Sequence, residues 1–179
     1  ITGGEPLVWP AFVRALRPML APRRVHLETA GGHPEALARV LDAIDHVSLD
    51  LKLPSDMDAP VELAQSEGDD APVATTEAAP VDAEEWTLAR RRSLDLVRDR
   101  DACAKVVVAA GREGRAYEPL FEDVARRAPD LPVFIAPATP VRDVDAPSLD
   151  LLVDVVERAR DLGLDVRVLP QIHRALGIA

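Results

Sequence analysis

A chain of 179 residues, 47% hydrophobic and 29% charged, has the size and balance of one globular domain with a real core. It contains no 18-residue apolar run to span a membrane and no basic-then-apolar leader, and its single cysteine, Cys103, excludes an internal disulfide and suits a cytoplasmic protein. The formal net charge of −10 belongs to one segment: between Leu53 and Ala89 there are ten acids and no Lys or Arg, which leaves 21 acids against 21 bases elsewhere and no basic stripe for nucleic acid.

In chain order, Thr2-Gly3-Gly4-Glu5-Pro6 reads as the end of a strand and the start of a helix. A helix is predicted over 10–20, with Phe12, Val13, Leu16 and Leu20 on one side. A strand follows over 24–30, then a helix over 33–43 that takes Pro34 in its first turn, then a strand over 46–51. Residues 55–82 carry Pro60, Gly68, Pro72 and Pro80 and no aromatic residue. Such a stretch buries too little apolar surface to offset its chain entropy, which predicts a disordered acidic surface insertion. Helix resumes over 83–100, with Trp86, Leu94 and Val97 as core candidates and Arg90-Arg91-Arg92 as a solvated face. Residues 105–110 read as a strand buried on both faces of a parallel sheet. A helix over 118–127, a strand over 133–136, a helix over 147–162 stopped by Gly163 and a strand over 166–169 complete the chain. Strand and helix alternating in this way require right-handed crossovers and a parallel sheet. Periodicity leaves open whether that sheet is doubly wound or curls into a partial barrel.

Chemistry is expected at the strand ends. In parallel α/β proteins the carboxyl ends of strands face the ligand. Glycines such as Gly3 and Gly4 let the backbone approach a ligand, and an acid such as Glu5 accepts hydrogen bonds from an ammonium group. The later strand ends Leu27-Glu28-Thr29-Ala30-Gly31-Gly32, Ser48-Leu49-Asp50-Leu51-Lys52 and Leu169-Pro170-Gln171-Ile172-His173 also carry polar residues that a purely structural core would not use. His26, His33 and His46 have no partner at metal-ligand spacing, and Cys103 reads as a small buried hydrophobe.

Ile-Thr-Gly-Gly-Glu-Pro-Leu, Leu-Glu-Thr-Ala-Gly and Ser-Leu-Asp-Leu-Lys, in that order, resemble the radical S-adenosylmethionine superfamily. The closing Leu-Pro-Gln-Ile-His-Arg-Ala-Leu-Gly-Ile is similar to the carboxyl terminus of 7-carboxy-7-deazaguanine synthases. The resemblance implies a partial parallel (β/α) barrel, here lacking its first β/α unit, across residues 1–179 apart from the insertion. It implies that Gly3, Gly4 and Glu5 hold the amino group of S-adenosylmethionine, that Glu28, Thr29 and Asp50 border that cofactor and that Lys52 lies near its carboxylate. Gln171 and His173 would lie near a carboxylated tetrahydropterin substrate. A [4Fe–4S] cluster would cleave the cofactor to a 5′-deoxyadenosyl radical, with magnesium assisting, and the pterin ring would contract with loss of ammonia in the route to queuosine. Synthases of this type are usually homodimers.

Two motif positions depart from the family. Ala30 stands where the family has Asn, and Asp50-Leu51-Lys52 replaces a Ser-Pro-Lys version. The superfamily also ligates its cluster through three cysteines ahead of Gly-Gly-Glu, and cluster ligation needs thiolates. None precedes Gly3, and the chain opens with Ile1 inside a motif, so it reads as an inactive fragment of a synthase. The alternatives are a fragment of a glycyl-radical activase or other radical enzyme, which would dock a protein and bind no pterin, and a non-catalytic α/β binding domain.

Overall fold

Alternation along the strands decides the architecture. The computed structural model describes residues 1–57, 74–140 and 145–170. Five strands, β1 (His26–Thr29), β2 (His46–Leu51), β3 (Ala102–Val108), β4 (Val133–Pro137) and β5 (Val166–Val168), form one parallel sheet in the order β1-β2-β3-β4-β5. Between them run helices α1 (Pro10–Leu20), α2 (Pro34–Val40), α3 (Ala83–Val97), α4 (Glu118–Arg127) and α5 (Leu149–Asp161). A right-handed crossover between each strand and its immediate successor puts every helix on the same side. Neighbouring helices accordingly touch in sequence, α1 on α2, α2 on α3, α3 on α4 and α4 on α5. This single winding answers the question that periodicity left open. The sheet is of the partial-barrel kind, with a helical layer outside.

The helix-covered face holds the core. Leu27, Leu49, Ala104, Val106, Val133 and Ile135 point into it and are completely buried, against Leu37, Val40, Leu94, Leu120, Phe121 and Val155 from the helices. Each such large side chain stabilises the fold by about 1.5–3 kcal/mol relative to exposure. The opposite face is bare of any helix or strand among the described residues. Lys105 and Cys103 are half-buried there and Val107 is 39% exposed, so among the described residues the run expected to be buried on both faces has only one face covered. β3 also starts three residues before the predicted 105, and Ala109-Ala110 belong to the loop that follows it.

Local signals set the helix starts. Asp82 caps α3 by accepting from Glu85 N (2.9 Å), Ser148 caps α5 by accepting from Leu151 N (3.2 Å), and Pro34 occupies the first turn of α2. Two expectations about side-chain exposure fail. Arg90 is buried, donating through Nε (3.0 Å) and Nη2 (2.6 Å) to Asp123 of α4, which also accepts from Arg91 Nε (2.9 Å). Phe12, placed with the apolar stripe of α1, is 53% exposed because that stripe is narrower than its periodicity suggests.

Of the expected insertion at 55–82, residues 58–73 lie outside the described residues. Those on either side are docked. Asp56 and Ser55 meet Arg112, while Glu77 accepts from the first-turn amides of α2, Glu35 N (3.0 Å) and Ala36 N (2.8 Å). Pro80 and the Trp86 ring close over Gly32, where a Cβ would stand 2.8 Å from the indole.

Candidate functional site

The Gly-Gly-Glu segment is built around one carboxylate. Gly3 and Gly4 take φ values of +96° and +54°, and no heavy atom lies within 4 Å of where a Cβ would sit at either. A side chain here would be strained by the backbone rather than by a neighbour. The open space lies beside Glu5, whose own oxygens are engaged inward. Oε1 accepts from Leu7 N (3.0 Å) and Thr29 Oγ1 (2.7 Å), and Oε2 accepts from Ala30 N (3.0 Å). Glu5 thus ties the loop to the end of β1 and serves as a brace. The Thr29 hydroxyl, 2% exposed, completes the tie by accepting from Gly31 N (3.0 Å). The Ser93 hydroxyl of α3 then donates to Gly31 O (2.8 Å).

On the bare face the register sets side chains in rows. Asp50 pairs with Lys105, and Lys105 with Phe134, so these three stand abreast on β2, β3 and β4. One row toward the amino ends stand Glu28, Ser48 and Cys103. The Lys105 ammonium donates to Glu28 Oε1 and lies 3.9 Å from Asp50 Oδ2, linking β1 to β2 from the third strand. Thr2 Oγ1 donates to the other oxygen of Glu28 (3.1 Å). The hydrogen bond from Lys105 holds the Glu28 carboxyl below the usual range, against the opposing effect of partial burial. Lys52 Nζ stands 3.6 Å from Asp50 Oδ2. The other oxygen, Asp50 Oδ1, is buried and has no hydrogen-bond partner among the described residues. An unmet carboxylate oxygen in a folded chain is costly unless something else supplies a donor.

Asp50 borders a cleft of about 690 Å³ at the carboxyl ends of β2–β4, with Lys52, Asp56, Val107, Arg112 and Asp145 around it. Its floor is the loop after β3. Tyr117, fully buried, accepts from Ala109 N (3.3 Å) through its hydroxyl, and Ala110 N donates to Asp145 O (3.2 Å). Arg112 reaches across to Ser55 Oγ (3.1 Å) and to Asp56. Among the described residues the cleft therefore presents two cations, three carboxylates and a short apolar wall.

The amino end of the bare face carries a different group. The His26 and His46 rings meet edge to face at 4.7 Å between centroids, His46 Nδ1 lies 2.6 Å from Asp101 Oδ1, and Cys103 Sγ is 3.6 Å from His46 Nε2. Burial pushes the Cys103 thiol up and the His26 imidazole down. No three His, Cys, Asp or Glu side chains among the described residues converge well enough to hold a metal ion.

The expected site residues thus fall into two linked groups. Gly3, Gly4, Glu5 and Thr29 gather at the end of β1, and Asp50 and Lys52 line the cleft, with Glu28 between them through Lys105. Gln171 and His173 lie outside the described residues. Sequence reasoning missed Lys105 and Arg112. The only available signals were a lone cation inside an apolar strand and a Gly-Arg pair just past its end.

No protein-family profile matches the chain. Its architecture is that of radical S-adenosylmethionine enzymes. A domain of pyruvate-formate lyase-activating enzyme from Bacteroides vulgatus superposes with a TM-score of 0.65 at 15% identity, over 94% of this chain and 96% of that one. A radical SAM methyltransferase from Sphaerobacter thermophilus gives 0.52 at 18% identity, over 83% of this chain and 40% of that one. In sequence, the chain is 31% identical over 183 residues to the 7-carboxy-7-deazaguanine synthase of Methanothermobacter thermautotrophicus, covering 99% of this chain and 69% of the relative. It is 26% identical over 178 residues to the synthase of Geobacter sulfurreducens, covering 99% of this chain and 62% of that relative. The chain belongs to the 7-carboxy-7-deazaguanine synthase family.

Proposed function

We propose that this chain is the cofactor- and substrate-holding portion of a radical S-adenosylmethionine lyase that contracts 6-carboxy-5,6,7,8-tetrahydropterin to 7-carboxy-7-deazaguanine in 7-deazapurine synthesis. The observation that carries this reading is the buried, unpartnered Asp50 Oδ1 at the mouth of a polar cleft on the carboxyl ends of the strands. Family membership supplies the reaction class.

S-Adenosylmethionine suits the residues present. The left-handed backbone and open space at Gly3 and Gly4 admit the cofactor's amino group against main-chain carbonyls. Glu5 braces that loop through both of its oxygens. Asp50 Oδ1 accepts from a cofactor N–H or O–H, and Lys52 donates to its carboxylate. When bound, the cofactor supplies the radical chemistry that begins the contraction. The protein orients the two reactants and keeps water from the reacting atoms.

The [4Fe–4S] cluster does not fit this chain. Cys103 is its only cysteine and stands at the amino end of β3, beside His46 and away from Gly3 and Gly4. These residues would not hold the cluster, and the reading predicts no turnover by this chain alone. For magnesium the described residues offer no converging set of His, Cys, Asp or Glu donors.

Anaerobic iron–sulfur reconstitution tests this assignment. The expected result is no stoichiometric [4Fe–4S] absorbance and no 7-carboxy-7-deazaguanine by mass spectrometry from this chain alone. A full cluster per chain, with product formed, would contradict it.

A further inference from the structure

Among the described residues, Lys105 is the cation that contacts both Glu28 and Asp50. It stands in register with Asp50 on β2 and reaches past it to Glu28 on β1, although Glu28 lies one row nearer the amino ends. Adjacent strands are about 4.8 Å apart, so two carboxylates on β1 and β2 repel unless a cation stands between them. Lys52 cannot take that place. It contacts Asp50 alone and is 40% exposed, whereas Lys105 is 24% exposed. The ion pairs also limit the freedom of the two acids. With Oδ2 facing the two ammonium groups, Asp50, in the wall of the cleft, keeps Oδ1 without a donor among the described residues.

We infer that Lys105 is a positioning residue of this site: its ammonium bridges Glu28 and Asp50 and fixes the rotamers that turn Asp50 Oδ1 and the remaining lone pairs of Glu28 toward a ligand carrying N–H or O–H donors. The inference rests on the proposed reading of the site and adds to it a residue on a strand outside the motifs that define it. Removing the ammonium leaves two carboxylates facing each other on neighbouring strands. One of them then swings away or takes up a proton, and the acceptor array is lost. A purely structural lysine would change the stability of the sheet and leave the protonation behaviour of ligand binding alone.

The experiment compares Lys105→Met and Lys105→Arg with the unmodified protein, using S-adenosylmethionine as the probe in equilibrium dialysis from pH 5 to pH 8. Urea melts identify any variant that fails to fold. Lys105→Met is expected to weaken binding by about tenfold or more near neutrality, the loss of one well-aimed charge-assisted hydrogen bond, and to move the acid limb of binding to higher pH. Lys105→Arg, which keeps the charge, recovers most of that loss. Equal affinity and an unchanged pH profile in Lys105→Met would overturn the inference. If the unmodified protein does not bind S-adenosylmethionine, the functional reading fails separately, and Lys105 is judged on carbon-13 NMR titration of Glu28. In Lys105→Met that titration moves up toward an ordinary glutamate, and an unmoved midpoint overturns the positioning role.

Discussion

Replacing Glu5 by glutamine tests the brace on which the Gly-Gly segment depends. The native carboxylate accepts three hydrogen bonds, from Leu7 N at 3.0 Å, Thr29 Oγ1 at 2.7 Å and Ala30 N at 3.0 Å. A glutamine keeps one oxygen and turns an NH₂ group toward at least one of these donors, so one bond is lost and a donor faces a donor. Hydrogen bonds to a charged group contribute about 1.5–3 kcal/mol each, and the half-buried setting of Glu5 places the loss at the lower end, about 1.5–2 kcal/mol. Urea denaturation followed by circular dichroism measures it, with the slope checked for constancy. Thr29→Val removes the partner from the other side. The double variant should show a coupling of about 1 kcal/mol, because the two residues share one bond. Amide exchange at Leu7 and Ala30 should quicken in Glu5→Gln while the core of β3 stays protected. A loss below about 0.5 kcal/mol with no coupling would refute the brace and return the Glu5 carboxylate to the list of ligand-binding groups.

Other outcomes follow from neighbouring features. Asp123→Ala strands the buried guanidinium of Arg90 and should cost about 3–5 kcal/mol in urea melts, whereas the pair Arg90→Met with Asp123→Leu should come within about 1–2 kcal/mol of the original; equal losses in both would argue against a buried charge. The Cys103 thiol, pushed up by burial, should react with a thiol-specific reagent at pH 7.5 more slowly than a peptide cysteine, and faster reaction would mean that His46 activates it. Glu28 titrates below its usual range in the folded state, so its contribution to stability is complete above the unfolded value and is lost as pH falls through the folded one. Lys105→Met should therefore flatten that acid-side loss in a pH series of melts, and an unchanged slope would count against the Glu28–Lys105 contact.

What the sequence revealed divides along physical lines. Strand and helix positions were readable because apolar spacing is a local property, and Leu94, Val97, Leu120, Phe121 and Val124 are buried as their periodicity required. The bare face was not readable. Whether 105–110 is covered on one side or two depends on which way each crossover turns, a matter of strand order that no window of sequence contains. Arg90 was misplaced for a similar reason. Its partner Asp123 is 33 residues away on another helix, and a run of three arginines reads as solvated until that partner is known. At the site, Gly3, Gly4, Glu5, Thr29 and Asp50 stood out by residue type at strand ends. That Glu5 braces the loop, while Asp50 keeps an oxygen free, emerges only from the hydrogen bonds. Lys105 stayed hidden because a single lysine in an apolar strand gives no sign of which carboxylates it will meet.

The most direct test is calorimetric titration of the protein with 6-carboxy-5,6,7,8-tetrahydropterin under anaerobic conditions, with and without saturating S-adenosylmethionine, beside an Asp50→Ala variant. Saturable pterin binding that strengthens with S-adenosylmethionine, and cofactor binding weakened about tenfold or more in Asp50→Ala, is the predicted result. Absence of pterin binding to a protein that binds S-adenosylmethionine would contradict the synthase reading and favour a radical enzyme with another substrate.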